Sequence, residues 1–346
     1  MPEISVLMSV YKTNPKHLCQ TIKSVLEQTY SDFEFLILND SPDETYLNNL
    51  IQRYPDSRIR LIQNEQTLGI ANSHNKLLAL ATGKYIAMMD HDDIMDKNRL
   101  AEQVAYMESN PNVGICGTAY RCFGLWNKRG LVRPPIDSDD IKAELFFKCP
   151  ILHPSIMIRS DIVKSNHITY NPNYISANDR HLYLDMMPYT DFHNLPEVLM
   201  NYRMHANMTS KTKREAIVSE QKRLRSEMLA SIGAELSANE EQILNDFVLK
   251  GRCRIKDINI LSQVKSVLEK IDTANQKSCY FPTEVFSKLC AKYLVKRCLN
   301  AAVYGRLSSK DFLKQTTLPV QNVKIPLLLK LLNNLLPSTP KESEVK

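Results

Sequence analysis

The sequence predicts an α/β domain with a mostly parallel sheet covered by helices on both faces, followed by a helical C-terminal domain. Three observations predict it. Short apolar runs alternate with helix-like stretches through the first part of the chain. Every stretch between those runs is long enough to hold a helix returning to a parallel neighbour. Beyond residue 210 strand signals almost vanish and helical spacing takes over. The chain has 346 residues, 43% hydrophobic and 24% charged, a globular composition with room for about two domains.

The strand candidates are "ISVLMSV" (4–10), "FEFLILN" (33–39), "IRLIQN" (59–64) and "KYIAMMD" (84–90). They are nearly continuous apolar runs, the pattern of strands buried on both faces. Between them lie "HLCQTIKSVLEQ", "ETYLNNLIQRY" and "IANSHNKLLALATG", whose apolar residues recur at spacings of three and four. Residues 111–210 are broken by Pro134, Pro135, Pro150, Pro154, Pro172, Pro188 and Pro196, and read as the second half of the same domain, with loops over a crevice. The organisation expected is an α/β domain over 1–210, a helical basic domain over 211–336 and a disordered tail over 337–346.

Charge separates the two parts. Residues 1–210 hold 20 Lys and Arg against 24 Asp and Glu, whereas 211–346 hold 24 against 14, within a net charge of +6. From Lys288 to Lys330 nine basic residues face the single acid Asp311. Such a split suits a surface that meets a polyanion, and a solvated helix face is the plainer alternative. "IPLLLKLLNNLLP" (325–337) gathers Lys330, Asn333 and Asn334 on one helical face, which suits either an anionic membrane surface or packing on the protein. Peripheral membrane contact is therefore expected, if anywhere, through 288–336. Nucleic acid is not expected, since no recognised binding motif surrounds the basic segment.

No N-terminal apolar segment with a cleavage site is present, and no apolar run reaches the ~18 residues of a membrane-spanning helix. The 8 cysteines form no CxxC pair. They read as reduced thiols of a cytoplasmic protein, on or off the inner face of the plasma membrane.

In parallel sheets ligands bind outside the carboxyl ends of the strands. Those ends carry Tyr11 on the first strand, Asp40 on the second, and Asp90, His91, Asp92 and Asp93 on the fourth. Carboxylates at i and i+2 beyond a strand can hold a hard divalent cation whose remaining ligands are phosphate oxygens. The alternative is that Asp93 or Asp96 starts a helix near Asp96 while the others are solvated. An EF-hand is excluded, because its sixth and twelfth positions fall on Met95 and Ala101. An aspartyl-nucleophile phosphatase would carry its motif after the first strand, and no GxGxxG or GxxxxGK[ST] loop occurs.

Five ordered blocks, "ISVLMSVYK", "LILNDSPDET", "NEQTLGIANSHNKLLALATGKYIAMMDHDD", "CPILHPSIMIR" and "YRMHANMTS", resemble the signatures of family 2 glycosyltransferases with the GT-A fold, over residues 3–210. The flavour is that of bacterial enzymes of lipopolysaccharide, capsule or exopolysaccharide synthesis. The resemblance implies that Tyr11 and Asp40 hold a nucleotide, that Asp90 contacts the ribose region, and that Asp92 ligates Mn²⁺ or Mg²⁺ on a diphosphate. It implies that His205 makes a late phosphate or metal contact and that Asp179 is the catalytic base. The activity implied is inverting transfer of a hexosyl or N-acetylhexosaminyl group from a UDP-sugar donor to a saccharide or lipid-linked saccharide acceptor. Ser9 replaces the usual proline of the first block, and Asn178 replaces the glutamate that usually precedes the base. His153 in "HPS" and Trp126 suit either an acceptor-side or a packing role. The rivals are a nucleotidyltransferase on a similar sheet and a sugar-nucleotide-binding scaffold without turnover.

Overall fold

The computed structural model describes residues 2–44, 46–125, 130–205, 214–249 and 258–305. Trp126, the segment 325–337 and the tail 337–346 lie outside them. Two compact units result, Met1–Arg225 and Ser226–Lys346.

The first unit opens as the apolar runs require. Strands β1 (Ile4–Val10), β2 (Phe33–Asn39), β3 (Ile59–Gln63) and β4 (Tyr85–Met88) are parallel, in the spatial order β3-β2-β1-β4. Ile4, Val6, Leu7, Met8 and Val10 are all buried, so both faces of β1 are covered. Helix α1 (Pro15–Leu26) starts where Pro15 fixes the first turn and the Asn14 side chain accepts from the Lys16 amide at 2.9 Å. It buries Leu18, Ile22 and Val25 in the same core as Val6 and Phe35. Helices α2 (Tyr46–Ile51) and α3 (Ile70–Leu80) complete the crossovers. At Gly83 the backbone enters β4 so close to β1 that a Cβ would stand 2.6 Å from the Ser5 nitrogen. Only glycine fits there.

Beyond β4 the sheet becomes mixed. The remaining elements are β5 (Ile94–Met95), α4 (Arg99–Ser109), β6 (Val113–Gly124), β7 (Leu131–Val132), α5 (Ser138–Glu144), β8 (Met157–Arg159), α6 (Ser160–Ser165), α7 (Asn178–Met186) and β9 (Asp191–Met204). Strand β8 runs antiparallel to β4 and to β6, β9 runs parallel to β6, and the two-residue β5 pairs antiparallel with β9. The helix expected near Asp96 begins at Arg99, after β5. The Asp96 carboxylate turns the chain into it by accepting the Asn98 amide at 2.9 Å.

Arg99 fixes the junction below the crevice. Its side chain is fully buried and donates to the carbonyls of Met88 and Ile156, each at 3.0 Å. Burial pushes its guanidinium down to about 9. Gln103, one turn on, donates to the Ser155 carbonyl at 2.9 Å. The end of β4 and the turn His153–Ser155 are thereby tied to one helix.

The described part of the second unit is helical: Ala238–Ile243, a π-helical turn Leu244–Leu249, Ile258–Ser278 and Thr283–Gly305. Ser237 and Glu240 form a reciprocal capping box at its start. Asn275 closes the turn between the two long helices, exchanging hydrogen bonds with Phe281 at 2.9 and 3.1 Å. Among the described residues no helix is long and apolar enough to cross a membrane, and the described cysteines are free thiols.

Candidate active site

The carboxyl ends of β1, β2 and β4 meet as the strand order demands. The Asp40 amide donates to the Val10 carbonyl at 2.8 Å, and the Met89 amide to Leu7 at 3.0 Å. Tyr11 stands at the mouth, 46% exposed, with Lys12 Nζ lying 5.3 Å from its ring centroid. Asp40 is buried. Its Oδ1 accepts from Asn64 Nδ2 at 2.8 Å and from the Leu68 amide at 2.7 Å, and its Oδ2 from the Gly69 amide at 2.9 Å. The carboxylate thus shapes the loop that leads into α3.

Asp90, Asp92 and Asp93 offer carboxylate oxygens that all lie within 4.8 Å of one another. Their turn is held from two sides. Thr21 Oγ1 of α1 donates to the Asp93 carbonyl at 2.7 Å, while Arg203 of β9 donates from its amide to Asp93 Oδ1 at 2.7 Å and from Nε to the Asp92 carbonyl at 2.5 Å. The short β5–β9 ladder makes this possible by pairing Ile94 with Asn201. It also delivers His205, whose Nε2 is 2.7 Å from Asp92 Oδ2 although 113 residues separate them.

Charge in the turn is unevenly balanced. Burial works to raise the Asp92 carboxyl, but the His205 hydrogen bond and the nearby His91 and His205 hold it below its ordinary range. Burial, then the charges of Asp92 and Asp90, pushes Asp93 well above its own. Among the described residues the buried Asp93 Oδ2 has no hydrogen-bond partner. Three crowded carboxylates with an orphaned buried oxygen form a hard donor set that a divalent cation would neutralise, so the residues fit one.

Asp179 lies in the first turn of α7, partly exposed. Its Oδ1 accepts from the Arg180 amide at 2.6 Å, and the Cys149 thiol lies 3.7 Å from Oδ2. Burial raises its carboxyl, with His153, the Arg180 amide and Cys149 pulling the other way. His153 stands between the two acidic regions. Its Nδ1 is 3.8 Å from Asp90 Oδ1 and its Nε2 is 2.8 Å from the Tyr170 hydroxyl. Its ring stacks on His74 at 5.1 Å between centroids, and His74 Nε2 in turn meets Ser9 Oγ at 3.2 Å. The residue that replaces the usual proline therefore anchors a buried histidine beneath the crevice.

A model of the family described as Glycosyl transferase family 2 matches residues 5–165. The amylovoran biosynthesis glycosyltransferase AmsE of Erwinia amylovora is 32% identical over 210 residues, covering 60% of this chain and 78% of that one. The chain belongs to glycosyltransferase family 2. This glycosyltransferase also has fold neighbours among solved structures. S. aureus TarS, solved in complex with UDP-GlcNAc, matches with a TM-score of 0.57 at 14% identity, covering 85% of this chain and 90% of that one. The mannosyltransferase PcManGT from Pyrobaculum calidifontis, solved with GDP-Man and Mn²⁺, matches with a TM-score of 0.52 at 16% identity, covering 86% of each chain. Both likenesses bear on the GT-A fold.

Of the residues read from the sequence, the structure gathers Tyr11, Asp40, Asp90, Asp92 and His205 at neighbouring strand ends, and His153 joins Asp90 to the surroundings of Asp179. The sequence places Asp93 at the strand end but leaves its role open between site and helix start, and Arg203 is not legible as a site residue. An acid beside a DxD pair reads locally as a helix start, and an arginine in a strand carries no periodic signal. Only the β5–β9 pairing gives them their work.

Proposed function

We propose that the protein is an inverting, divalent-cation-dependent transferase that moves a hexosyl or N-acetylhexosaminyl group from a UDP-sugar to a saccharide or lipid-linked saccharide in bacterial surface-polysaccharide synthesis. The observation that carries the reading is the meeting of Asp90, Asp92, Asp93 and His205 on one side of His153 with Asp179 on the other. The amylovoran relative supports the pathway class. The nucleotide-sugar complexes of the two fold neighbours support a nucleoside diphosphate donor.

In this reading Tyr11 offers its exposed ring to the nucleotide and Asp90 contacts the ribose region, while Asp40, expected to hold the nucleotide itself, is buried with both oxygens filled and acts through the loop it holds. Asp92 and His205, with Asp93 behind them, would hold Mn²⁺ or Mg²⁺, which as a Lewis acid stabilises negative charge on the departing diphosphate. Asp179 accepts the proton of the acceptor hydroxyl as its oxygen attacks the anomeric carbon from the face opposite the diphosphate. The carboxyl raised by burial is the stronger base for that task. One displacement inverts the anomeric centre.

The catalytic domain is assigned to 1–210 and the basic helical domain to 211–336, with the enzyme cytoplasmic and peripheral on the inner membrane face. Lys288, Lys292 and Lys296 support that contact: they are exposed at successive turns of helix Thr283–Gly305.

The test is sugar transfer or donor hydrolysis from a panel of UDP-sugars, with Asp179→Asn as control. Turnover that falls by a factor of about 10²–10⁴ in the variant supports the assignment. Pyrophosphate release from a nucleoside triphosphate, or turnover indifferent to Asp179, would contradict it.

A further inference from the structure

Helix α7 begins with Asn178 immediately before Asp179, and the residue capping it, Ala177, has no side chain able to accept an amide. The work is done from elsewhere in the chain. Glu220, on helix Arg214–Ser231, is 8% exposed and turns its carboxylate onto the loop that enters α7. Its Oε1 accepts from the Ile175 amide at 2.8 Å. Its Oε2 accepts from the Ser176 amide at 2.8 Å, the Ser176 hydroxyl at 2.9 Å and the Ala177 amide at 3.3 Å.

The neighbours of Glu220 extend the grip. Gln221 Oε1 accepts from an Arg180 guanidinium nitrogen at 2.7 Å, and the Arg180 amide donates to Asp179 itself. Arg223 donates to the Asn173 carbonyl and lies 4.1 Å over the Tyr174 ring. Residues on both sides of Asp179 are thus held by one short stretch of one helix.

We propose that Glu220 is a positioning residue for the Asp179 base, fixing the backbone of 175–177 and with it the place of the following carboxylate. The inference rests on the reading of Asp179 as the base. A buried carboxylate is costly unless its oxygens are filled, and four donors from three consecutive residues fill them. Burial works to raise this carboxyl, and those donors hold it below the usual range. An apolar side chain here would pack against the loop but would not fix its direction. Glu220 also places a negative charge at the N-terminus of α7, where the helix dipole favours it.

The experiment uses the full chain with UDP-glucose and UDP-N-acetylglucosamine. Donor turnover is measured with water or added saccharide as acceptor, and UDP·Mn²⁺ binding is measured by calorimetry. Glu220→Ala is expected to lower kcat by a factor of about 10–100, the scale of a misplaced reacting group. KM for the donor and UDP affinity stay within about twofold of wild type, because Glu220 does not touch the strand-end acids. Glu220→Gln, which keeps one acceptor oxygen, falls between the two. Ser176→Ala, which removes a single donor, gives a smaller loss of the same kind.

If Glu220→Ala does not fold, the Gln and Ser176 variants decide the matter by the same split. An unchanged kcat, or a loss of kcat matched by an equal loss of UDP affinity, overturns the proposal. An Asp179→Asn variant as active as wild type would fell the base reading and this inference with it. A dead Asp179→Asn beside a fully active Glu220→Ala would fell this inference alone.

Discussion

The Asp40→Ala substitution removes the carboxylate to which Asn64 Nδ2, the Leu68 amide and the Gly69 amide donate at 2.8, 2.7 and 2.9 Å. Gly69 is exposed and its amide can turn to water, whereas Asn64 is buried and Leu68 half-buried. The other end of the Asn64 amide is already engaged by Lys76 Nζ at 2.7 Å, so it has little freedom to seek a new partner. Two stranded donors at roughly 1–3 kcal/mol each give a cost of about 3 kcal/mol. That is a large part of the ~5–15 kcal/mol that holds a domain folded.

Asp40→Asn is the discriminating control. Its one oxygen can still serve Asn64 and Leu68, which share Oδ1, so the expected cost is about 1 kcal/mol or less. Urea unfolding followed by circular dichroism reads both, from the midpoint at constant slope. If Asp40→Ala lies within about 1 kcal/mol of wild type, or Asp40→Asn costs as much as Asp40→Ala, the account of Asp40 as the organiser of this loop is wrong.

Two further outcomes are expected. Because burial raises the Asp179 carboxyl in the folded state, the native protein keeps that proton at pH values where the unfolded chain has lost it. Its contribution to stability is therefore fullest at low pH and is lost as pH rises through the folded value. Asp179→Asn should melt above wild type at pH 7, and the gap should close below about pH 4, the ordinary range of an aspartate in the unfolded chain. Equal melting temperatures at pH 7 would refute the burial argument. His153→Ala, which removes the ring between Asp90 and Tyr170, should lower donor turnover by a factor of about 10–100. A loss under about threefold in a folded variant would make His153 a packing residue only.

What the sequence disclosed follows from which interactions are local. The four parallel strands were legible because each is a continuous apolar run, and a strand end points its next residue into the crevice whatever the partner strands do. That rule puts Asp40, Asp90 and Asp92 at strand ends, where the structure has them. The mixed half of the sheet was not. Strand β6 reads "VGICGTAYRCFG", with three glycines and an exposed arginine, and its alternation is repaired only by pairing with β9. His153 lacks a local signal because its partners Asp90 and Tyr170 are 63 and 17 residues away. Glu220 is the clearest case. In "REAIVSEQKRLRSEM" it resembles any solvated helical acid, and it becomes a buried clamp only because the loop 175–177 folds against it.

The central claim is that the strand-end acids hold a nucleoside diphosphate through a divalent cation. Calorimetric binding of UDP in the presence of Mn²⁺ and then of EDTA, to wild type and Asp92→Ala, tests it without knowledge of the acceptor. The account predicts binding that needs the cation and weakens by at least ~10-fold in the variant, the scale for loss of a group that holds a metal. Binding indifferent to both EDTA and Asp92, or no binding of UDP or any other nucleoside diphosphate with the cation present, would contradict it.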